Sequence, residues 1–219
     1  MCGRFPQSQP VIQYANALDS KWGPLPLEHK PTWNLAPSRR AIVLIDADKG
    51  YEALLMDWGF LPSWADPKSQ KPINARIETA ATKPYFRKAW KSGRCLIPAD
   101  GWYEWKESAK GKLPHFIYRA DNQPVLMAGL FETNPHVDIT SFAILTTEAD
   151  GTLRQVHDRK PLVLSSESGQ QWIRNDLPVE EISSLAHAPL CANNFTWHIV
   201  STKVNNTKND GAELIIKSE

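Results

Sequence analysis

Cys2 has the most unusual reactivity available to any residue in this sequence. Its side chain is small enough for a methionine aminopeptidase to remove Met1, which would leave a 1,2-aminothiol at the start of the chain. The α-amine of such a residue has a reference pKa of ~7.7–8.0 and its thiol one of ~8.5. Near neutral pH part of the amine is therefore unprotonated and nucleophilic. It can form a Schiff base with an aldehyde, and the adjacent thiol can then close a five-membered thiazolidine ring. An internal cysteine cannot do this, because its nitrogen is an amide. The plainer alternative for position 2 is an ordinary cysteine in a frayed terminus.

Three further stretches carry residue types suited to chemistry. Asn74-Ala75-Arg76-Ile77-Glu78-Thr79 supplies an amide that both donates and accepts, and a guanidinium that can fork onto phosphate. A structural Asn turn with a surface Arg is the alternative. Glu104 lies between Tyr103 and Trp105, where aromatic neighbours can desolvate a carboxyl and raise its pKa toward that of a useful general acid/base. Strand alternation could instead turn Glu104 to water while Tyr103 packs inward. In His157-Asp158-Arg159-Lys160-Pro161 an imidazole that titrates near neutrality sits beside positive charge. A lone structural His is the alternative, and the adjacency of His157 and Asp158 does not make a Ser-His-Asp arrangement. Arg4, Arg39, Arg40, Arg76 and Arg159 are candidates for phosphate contacts or simply scattered surface charge. Trp64, Phe86 and Trp105 are either core aromatics or stacking platforms for unpaired bases.

Composition bounds the classes of function. With 219 residues, 42% hydrophobic and 22% charged, the chain is globular, and disorder and coiled coil are excluded. No repeat or linker-like shift divides it, so one domain over residues 1–219 is expected. Twenty-five basic against 24 acidic residues leave a net charge of +1. That disfavours coating duplex DNA through bulk charge and leaves room for a local basic groove. Three scattered Cys provide neither a disulfide framework nor a Cys-rich zinc site, and the six His show no HxxxH or HExxH spacing. No metal or other cofactor is expected. GxSxG, P-loop and GxGxxG strings are absent. The longest nearly apolar run, Val125 to Phe131, is far shorter than the ~20 residues that cross a bilayer, and no signal-like segment opens the chain. A soluble, cytoplasmic protein with no membrane partner is the expectation.

The elements that must position these residues can be read from the pattern. Val11 to Leu18 has a weak helical period, followed by an extended connector enforced by Pro24, Pro26 and Pro31. Ala41–Ile45 and Tyr51–Trp58 read as a hairpin, and a turn of Ala-rich helix follows Asn74–Thr79. Pro84 to Gly93 reads as a helix beginning at the proline. Strands are expected at Arg94–Ile97, Trp102–Lys106, His115–Tyr118, Val125–Phe131, Phe142–Thr146, Pro161–Leu164 and Phe195–Val200. Helices are expected near Glu167–Arg174 and Val179–Ala186. Many short strands and few long helices predict an α+β fold, mainly antiparallel, with a barrel-like or sandwich-like core and peripheral helices.

Seven strings occur in a defined order: Met1-Cys2-Gly3-Arg4-Phe5, Asn34-Leu35-Ala36-Pro37, Trp58-Gly59-Phe60-Leu61-Pro62-Ser63-Trp64, Asn74 to Thr79, Arg94-Cys95-Leu96-Ile97-Pro98, Gly101-Trp102-Tyr103-Glu104-Trp105 and His157 to Pro161. Together they resemble the SRAP (SOS response-associated peptidase) family over nearly the whole chain. Lys160 departs from the pattern, the family more often having Met there. The resemblance implies a fold built on antiparallel sheets and covalent capture of abasic sites in single-stranded DNA by a thiazolidine at Cys2, protecting the lesion during the damage response. By the same resemblance, Asn74 orients the amine and sugar, Glu104 moves protons, and His157 assists ring opening and crosslink reversal. Arg76 binds flanking phosphates with help from Arg4 and Arg159. Pro37, Trp64 and Trp105 line the DNA channel, and Phe86 blocks continued stacking. Autoproteolytic Met1 removal and an abasic-site lyase side activity are also implied. The expected partner is single-stranded DNA bound by a monomer, with replication-fork proteins left open.

Two other classes stay open on the sequence. One is an N-terminal-nucleophile hydrolase or amidotransferase, in which the Cys2 thiolate attacks an amide. The other is a non-covalent reader of single-stranded or modified DNA.

Overall fold

The computed structural model describes residues 2–18, 29–47, 50–109 and 111–218. Met1, Pro24 and Pro26 of the expected connector, and Asp48 and Lys49 of the hairpin loop lie outside them. The N-terminal half runs β1 (Phe5–Gln7), α1 (Val11–Asn16), β2 (Thr32–Leu35), β3 (Arg40–Ala47), β4 (Gly50–Trp58), β5 (Asn74–Arg76), α2 (Ile77–Ala80) and α3 (Arg87–Ser92). It is followed by β6 (Arg94–Ala99), β7 (Trp102–Ser108), β8 (Gly111–Arg119), β9 (Val125–Asn134) and β10 (Ile139–Glu148). The last third holds β11 (Arg159–Pro161), β12 (Val163–Leu164), α4 (Ser166–Ile173), α5 (Val179–Ala186) and β13 (Phe195–Ile199), joined by short 3-10 turns.

Five of these strands close into a ring. β10 pairs with both β9 and β4, β4 with β3, β3 with β6, and β6 with β9. Only the β4–β10 junction in the ring is parallel. The expected mainly antiparallel, barrel-cored α+β fold is what the chain forms. A ring this narrow has room inside for side chains and none for a helix, so the face covered by helices is the outer one. On that face Ile42, Leu44, Leu96, Leu126 and Leu145 pack under Trp90 of α3 and Trp172 and Ile173 of α4. The inner face holds Val43, Cys95, Ile97, Met127, Phe142 and Ile144. Because both faces are covered, β6 is buried along its whole length and reads as an apolar run rather than an alternation.

Helix ends are fixed by specific groups. Ser165 caps α4, its side chain accepting from the Ser168 amide at 3.1 Å. Inside α4, Gly169 lets the helix sit on the barrel, since a Cβ there would lie 3.1 Å from Leu96 Cδ1. Residues 84–86 form a turn rather than the first turn of α3, with the Lys83 carbonyl accepting from both Phe86 and Arg87. The run expected as one strand at Pro161–Leu164 divides at Leu162. β11 pairs with β10, β12 pairs with β9, and the Leu162 amide and carbonyl bond to Leu145 and Ala128 as the chain passes between them.

β3 and β6 pair only at Leu44 and Leu96, so the ring splays open at one end. Gln7 fills the gap. Its Nε2 donates to the Ile42 and Pro98 carbonyls at 2.9 and 2.7 Å, and its Oε1 accepts from the Ile42 amide at 2.9 Å. The N-terminal segment is thereby fastened to the barrel mouth. A separate three-stranded sheet, β13–β8–β7, lies against this region.

Candidate active site

At position 2 the frayed-segment alternative does not hold. Cys2 is 0% exposed and packs in the inner cluster with Phe5, Trp58, Trp102 and Ile144. Backbone bonds from Tyr103 N to Arg4 O (3.0 Å) and from Asp100 N to Pro6 O (3.1 Å) lay this segment along the start of β7. Asn74 also reaches Cys2. It opens β5, which runs parallel to β10 opposite Ile144, and its Nδ2 donates to the Cys2 carbonyl at 2.8 Å. Asn74 Oδ1 is buried and accepts no hydrogen bond among the described residues. A buried acceptor left unmade is costly and marks a position where a further donor fits.

Glu104 comes from β7 on the face it shares with Trp102, which packs in the inner cluster with Cys2. Alternation sends Tyr103 the other way, into a separate cluster with Phe116, Val204 and Leu214. Both residues are buried, because the C-terminal segment covers the second face of the sheet. Burial pushes the Glu104 carboxyl up to about 7, so it exchanges a proton at neutral pH. The Cys2 thiol is pushed well above its usual range, first by burial and then by the Glu104 charge. That second cause places the carboxyl and the thiol in one electrostatic neighbourhood. The thiol is thus neutral in this site.

His157 follows the 3-10 turn at Gly151–Gln155, with its amide bonded to the Leu153 carbonyl. Burial lowers its pKa, which favours the neutral ring. Two contacts make opposite demands on Nδ1, which accepts from the Arg159 amide at 3.0 Å and lies 2.7 Å from Asp158 Oδ1. The amide is fixed by the start of β11, whereas the Asp158 side chain is exposed and free to turn to water. The first contact therefore sets the tautomer, leaving the proton on Nε2. The Asp158 charge adds, after burial, to the upward push on the Glu104 carboxyl.

The residues expected at DNA divide into groups. Arg76 is exposed at the end of β5, and its side chain makes no hydrogen bond or ion pair among the described residues. Trp64 is 59% exposed, with Tyr85 edge-on beneath it at 5.7 Å. Pro37 sits half-buried in a tight turn whose next residue, Ser38, takes φ +65°. Trp105 is partly buried, donating from Nε1 to Asn205 at 2.7 Å, with the Arg4 guanidinium over its ring. Arg4 and Arg159 are already engaged. Arg4 Nη1 donates to Asn34 Oδ1 (2.7 Å) and the Val204 carbonyl (2.8 Å), clamping the C-terminal segment. Arg159 forks onto Glu78 at 2.6 and 3.1 Å and also reaches the Thr146 carbonyl. Phe86 is only 6% exposed and packs against Phe60 at 5.2 Å and edge-on against Tyr85, which in turn meets Trp64. Arg40 bonds to the Leu55 carbonyl, and Arg39 is exposed.

Lys160 makes a local structure of its own. It is buried, with Nζ 2.5 Å from Asp150 and 2.7 Å from the Leu190 carbonyl, over the Phe195 ring. Glu78 and Asp150 were not singled out in the sequence, because each finds its cation at a distance no local pattern encodes. Among the described residues no three His, Cys, Asp or Glu side chains gather as a metal site. No helix among them is long and apolar enough to cross a membrane. A surface cavity of about 310 Å3 is lined by Phe116, Tyr118 and His198 on the sheet face away from Glu104.

A five-strand barrel with Cys2 buried at its mouth, its carbonyl held by Asn74 and Glu104 in its electrostatic neighbourhood, defines the class of protein. The chain belongs to the SOS response associated peptidase (SRAP) family, whose model matches residues 1–207. It is 42% identical to the abasic site processing protein YedK of Escherichia coli, over 98% of this chain and 99% of that one. It is 30% identical to the abasic site processing protein HMCES of Xenopus tropicalis, over 86% of this chain and 66% of that one. Among solved structures, a Bacteroides thetaiotaomicron protein superposes with a TM-score of 0.85 over the full length of both chains, at 21% identity, showing the shared fold. A phage-related protein of Bordetella bronchiseptica gives 0.75 at 31% identity, over 91% of this chain and 94% of that one.

Proposed function

We propose that this protein processes abasic sites in single-stranded DNA, capturing the ring-opened sugar covalently at Cys2 once Met1 has been removed. The observation that carries the reading is Cys2, buried at the barrel mouth, with Asn74 on its carbonyl and Glu104 in its electrostatic neighbourhood. The names of the relatives YedK and HMCES support the substrate class.

Burial sets the order of events. The medium that holds the thiol neutral also disfavours the ammonium form of an amine at the same residue. The amine therefore attacks first. Its nitrogen adds to the C1′ aldehyde, and the carbinolamine loses one water to give the imine. Glu104, at about 7, is divided between its two protonation states at neutral pH, so it can give the proton that the departing hydroxyl takes and receive one from the nitrogen. The thiol then adds to the imine carbon. A C–S bond forms, the thiol proton passes to nitrogen, and the ring is a thiazolidine. Asn74 Oδ1, a buried acceptor, orients the N–H of the attacking amine, and His157, protonated on Nε2, supplies a second proton donor for sugar ring opening and for reversal. A neutral thiol is a poor first nucleophile for amide hydrolysis, which weighs against the amidotransferase reading.

Arg76, whose side chain has no hydrogen-bond partner among the described residues, is placed to take a flanking phosphate, Trp64 offers a stacking face, and Pro37 and Trp105 border the channel. Arg159 acts through Glu78 and the β10 backbone rather than as a free phosphate ligand, and Arg4 chiefly fixes the C-terminal segment behind Trp105. Denaturing electrophoresis of an abasic single-stranded oligonucleotide with the mature protein tests the reading. A shifted band that survives denaturant without borohydride, and is lost in Cys2→Ala, is expected. Complete dissociation in denaturant would leave only non-covalent reading.

A further inference from the structure

Trp64 stands on a loop held with unusual care. Asn134, fully buried on β9, donates from Nδ2 to the carbonyls of Pro62 and Ala65 at 2.8 and 3.0 Å, one on each side of Ser63–Trp64. Glu132, two residues earlier on the same strand, accepts the Ser63 amide at 3.1 Å. Ser141 of β10 accepts the Leu61 amide at 2.8 Å. These bonds fix the backbone around a large aromatic side chain that remains mostly in water. Exposing an indole gains nothing for folding, so a preformed, exposed ring points to an occupant that stacks on it.

Lys88 of α3 lies at the same place. Its Nζ is 2.6 Å from Glu132 Oε1 and 3.0 Å from Ser63 Oγ, and its side chain is 62% exposed. An ammonium has three donors, and these two contacts leave one for a ligand. The partner carboxyl is itself nearly buried, and its Oε2 has no hydrogen-bond partner among the described residues. Glu132 thus directs Lys88 toward Ser63, the residue next to Trp64. An apolar stacking face beside a cation of fixed direction has the chemistry of one nucleotide, a base on the ring and its phosphate on the ammonium.

We infer that Trp64 and Lys88 form a nucleotide subsite for an undamaged residue of the bound single strand, with Glu132 and Asn134 as the positioning residues. It rests on the single-stranded DNA reading above and adds Lys88, Glu132 and Asn134 to it. The loop bonds make the subsite rigid before DNA arrives, so ordering the loop does not weaken binding.

The test is a fluorescence-anisotropy titration of a labelled oligothymidylate without lesions, at several salt concentrations. Lys88→Met alone would leave Glu132 buried and unpaired, so the informative variant is the double change Lys88→Met/Glu132→Gln, which removes both charges. It is expected to bind several-fold more weakly and to lose about 0.7 from the slope of log K against log salt, the value for one phosphate contact on a single strand. Glu132→Gln alone keeps the Lys88 ammonium and should retain the wild-type slope. Trp64→Ala should weaken binding at least fivefold with the slope unchanged, and Asn134→Asp, which cannot donate to the two carbonyls, should weaken it in the same direction. A double variant that binds with wild-type affinity and slope overturns the phosphate role of Lys88. Wild-type protein that crosslinks an abasic oligonucleotide yet ignores oligothymidylate overturns the subsite while leaving lesion capture standing. Failure to crosslink abasic DNA at all is the separate failure of the functional reading.

Discussion

Two buried polar centres in this protein are built in opposite ways. Arg94, on β6, is almost fully buried, and its guanidinium is consumed by backbone carbonyls. Nε donates to Trp172 at 2.8 Å, Nη1 to Trp90 and Lys91 at 2.9 and 2.6 Å, and Nη2 to Arg174. These carbonyls belong to the ends of α3 and α4, so one side chain caps two helices and ties both to the barrel. At the barrel mouth, Asn74 spends one bond on Cys2 and leaves Oδ1 unmade, while Glu104 is held at a pKa of about 7. The satisfied centre has no capacity left and serves the scaffold. The centre left with spare capacity is the one that can bind and exchange protons.

Substitutions sharpen or break that contrast. The largest effect is expected from Glu104→Gln, which should slow crosslink formation by roughly 10²–10⁴-fold through loss of acid/base catalysis. A wild-type rate, measured by quenched time courses on abasic oligonucleotide, would remove Glu104 from the chemistry. Arg94→Met should cost about 3–5 kcal/mol of stability, because several buried carbonyls lose their donor together. The folded fraction should crosslink at the normal rate, which separates scaffold from site.

Next comes pH. The folded-state pKa of Glu104 lies above its ordinary value of 4.5, so between that value and about 7 the folded protein holds more protons than the unfolded chain. Stability from this group is therefore fully present below about 4.5 and is lost as pH rises through about 7, a change on the order of 3 kcal/mol. Urea denaturation at intervals from pH 5 to 8.5 should show this decline in the wild type and a flatter profile in Glu104→Gln. The smallest stability effect is expected from Asn74→Leu. It loses the bond to the Cys2 carbonyl but also removes a buried unmade acceptor, so stability should move by less than ~1 kcal/mol while crosslinking slows about tenfold. A large stability loss with an unchanged rate would make Asn74 a scaffold residue like Arg94.

Much of this was legible in the sequence. Long apolar strands such as β6 and β9 and the hairpin of β3 and β4 announce themselves by composition and turn chemistry, and Val179–Ala186 falls where its period puts it. β1, β2 and β5 escape because three or four residues carry no readable alternation, and β5 is defined by a parallel pairing with β10 across the chain. For the site, reactive types singled out Cys2, Asn74, Glu104 and His157, whereas their mutual placement depends on contacts such as the one spanning Asn74 and Cys2. Phe86 shows the limit of type alone. An aromatic residue at helical spacing reads equally as platform or core, and only its neighbours Phe60 and Tyr85 decide for core.

The central claim is that a processed Cys2 closes a ring on the lesion. Intact mass spectrometry of the denatured complex with an abasic single-stranded oligonucleotide, without reductant, tests it most directly. The predicted product is protein lacking Met1 plus oligonucleotide less one water, absent in Cys2→Ala. A processed N-terminus with unmodified protein and intact oligonucleotide would contradict it.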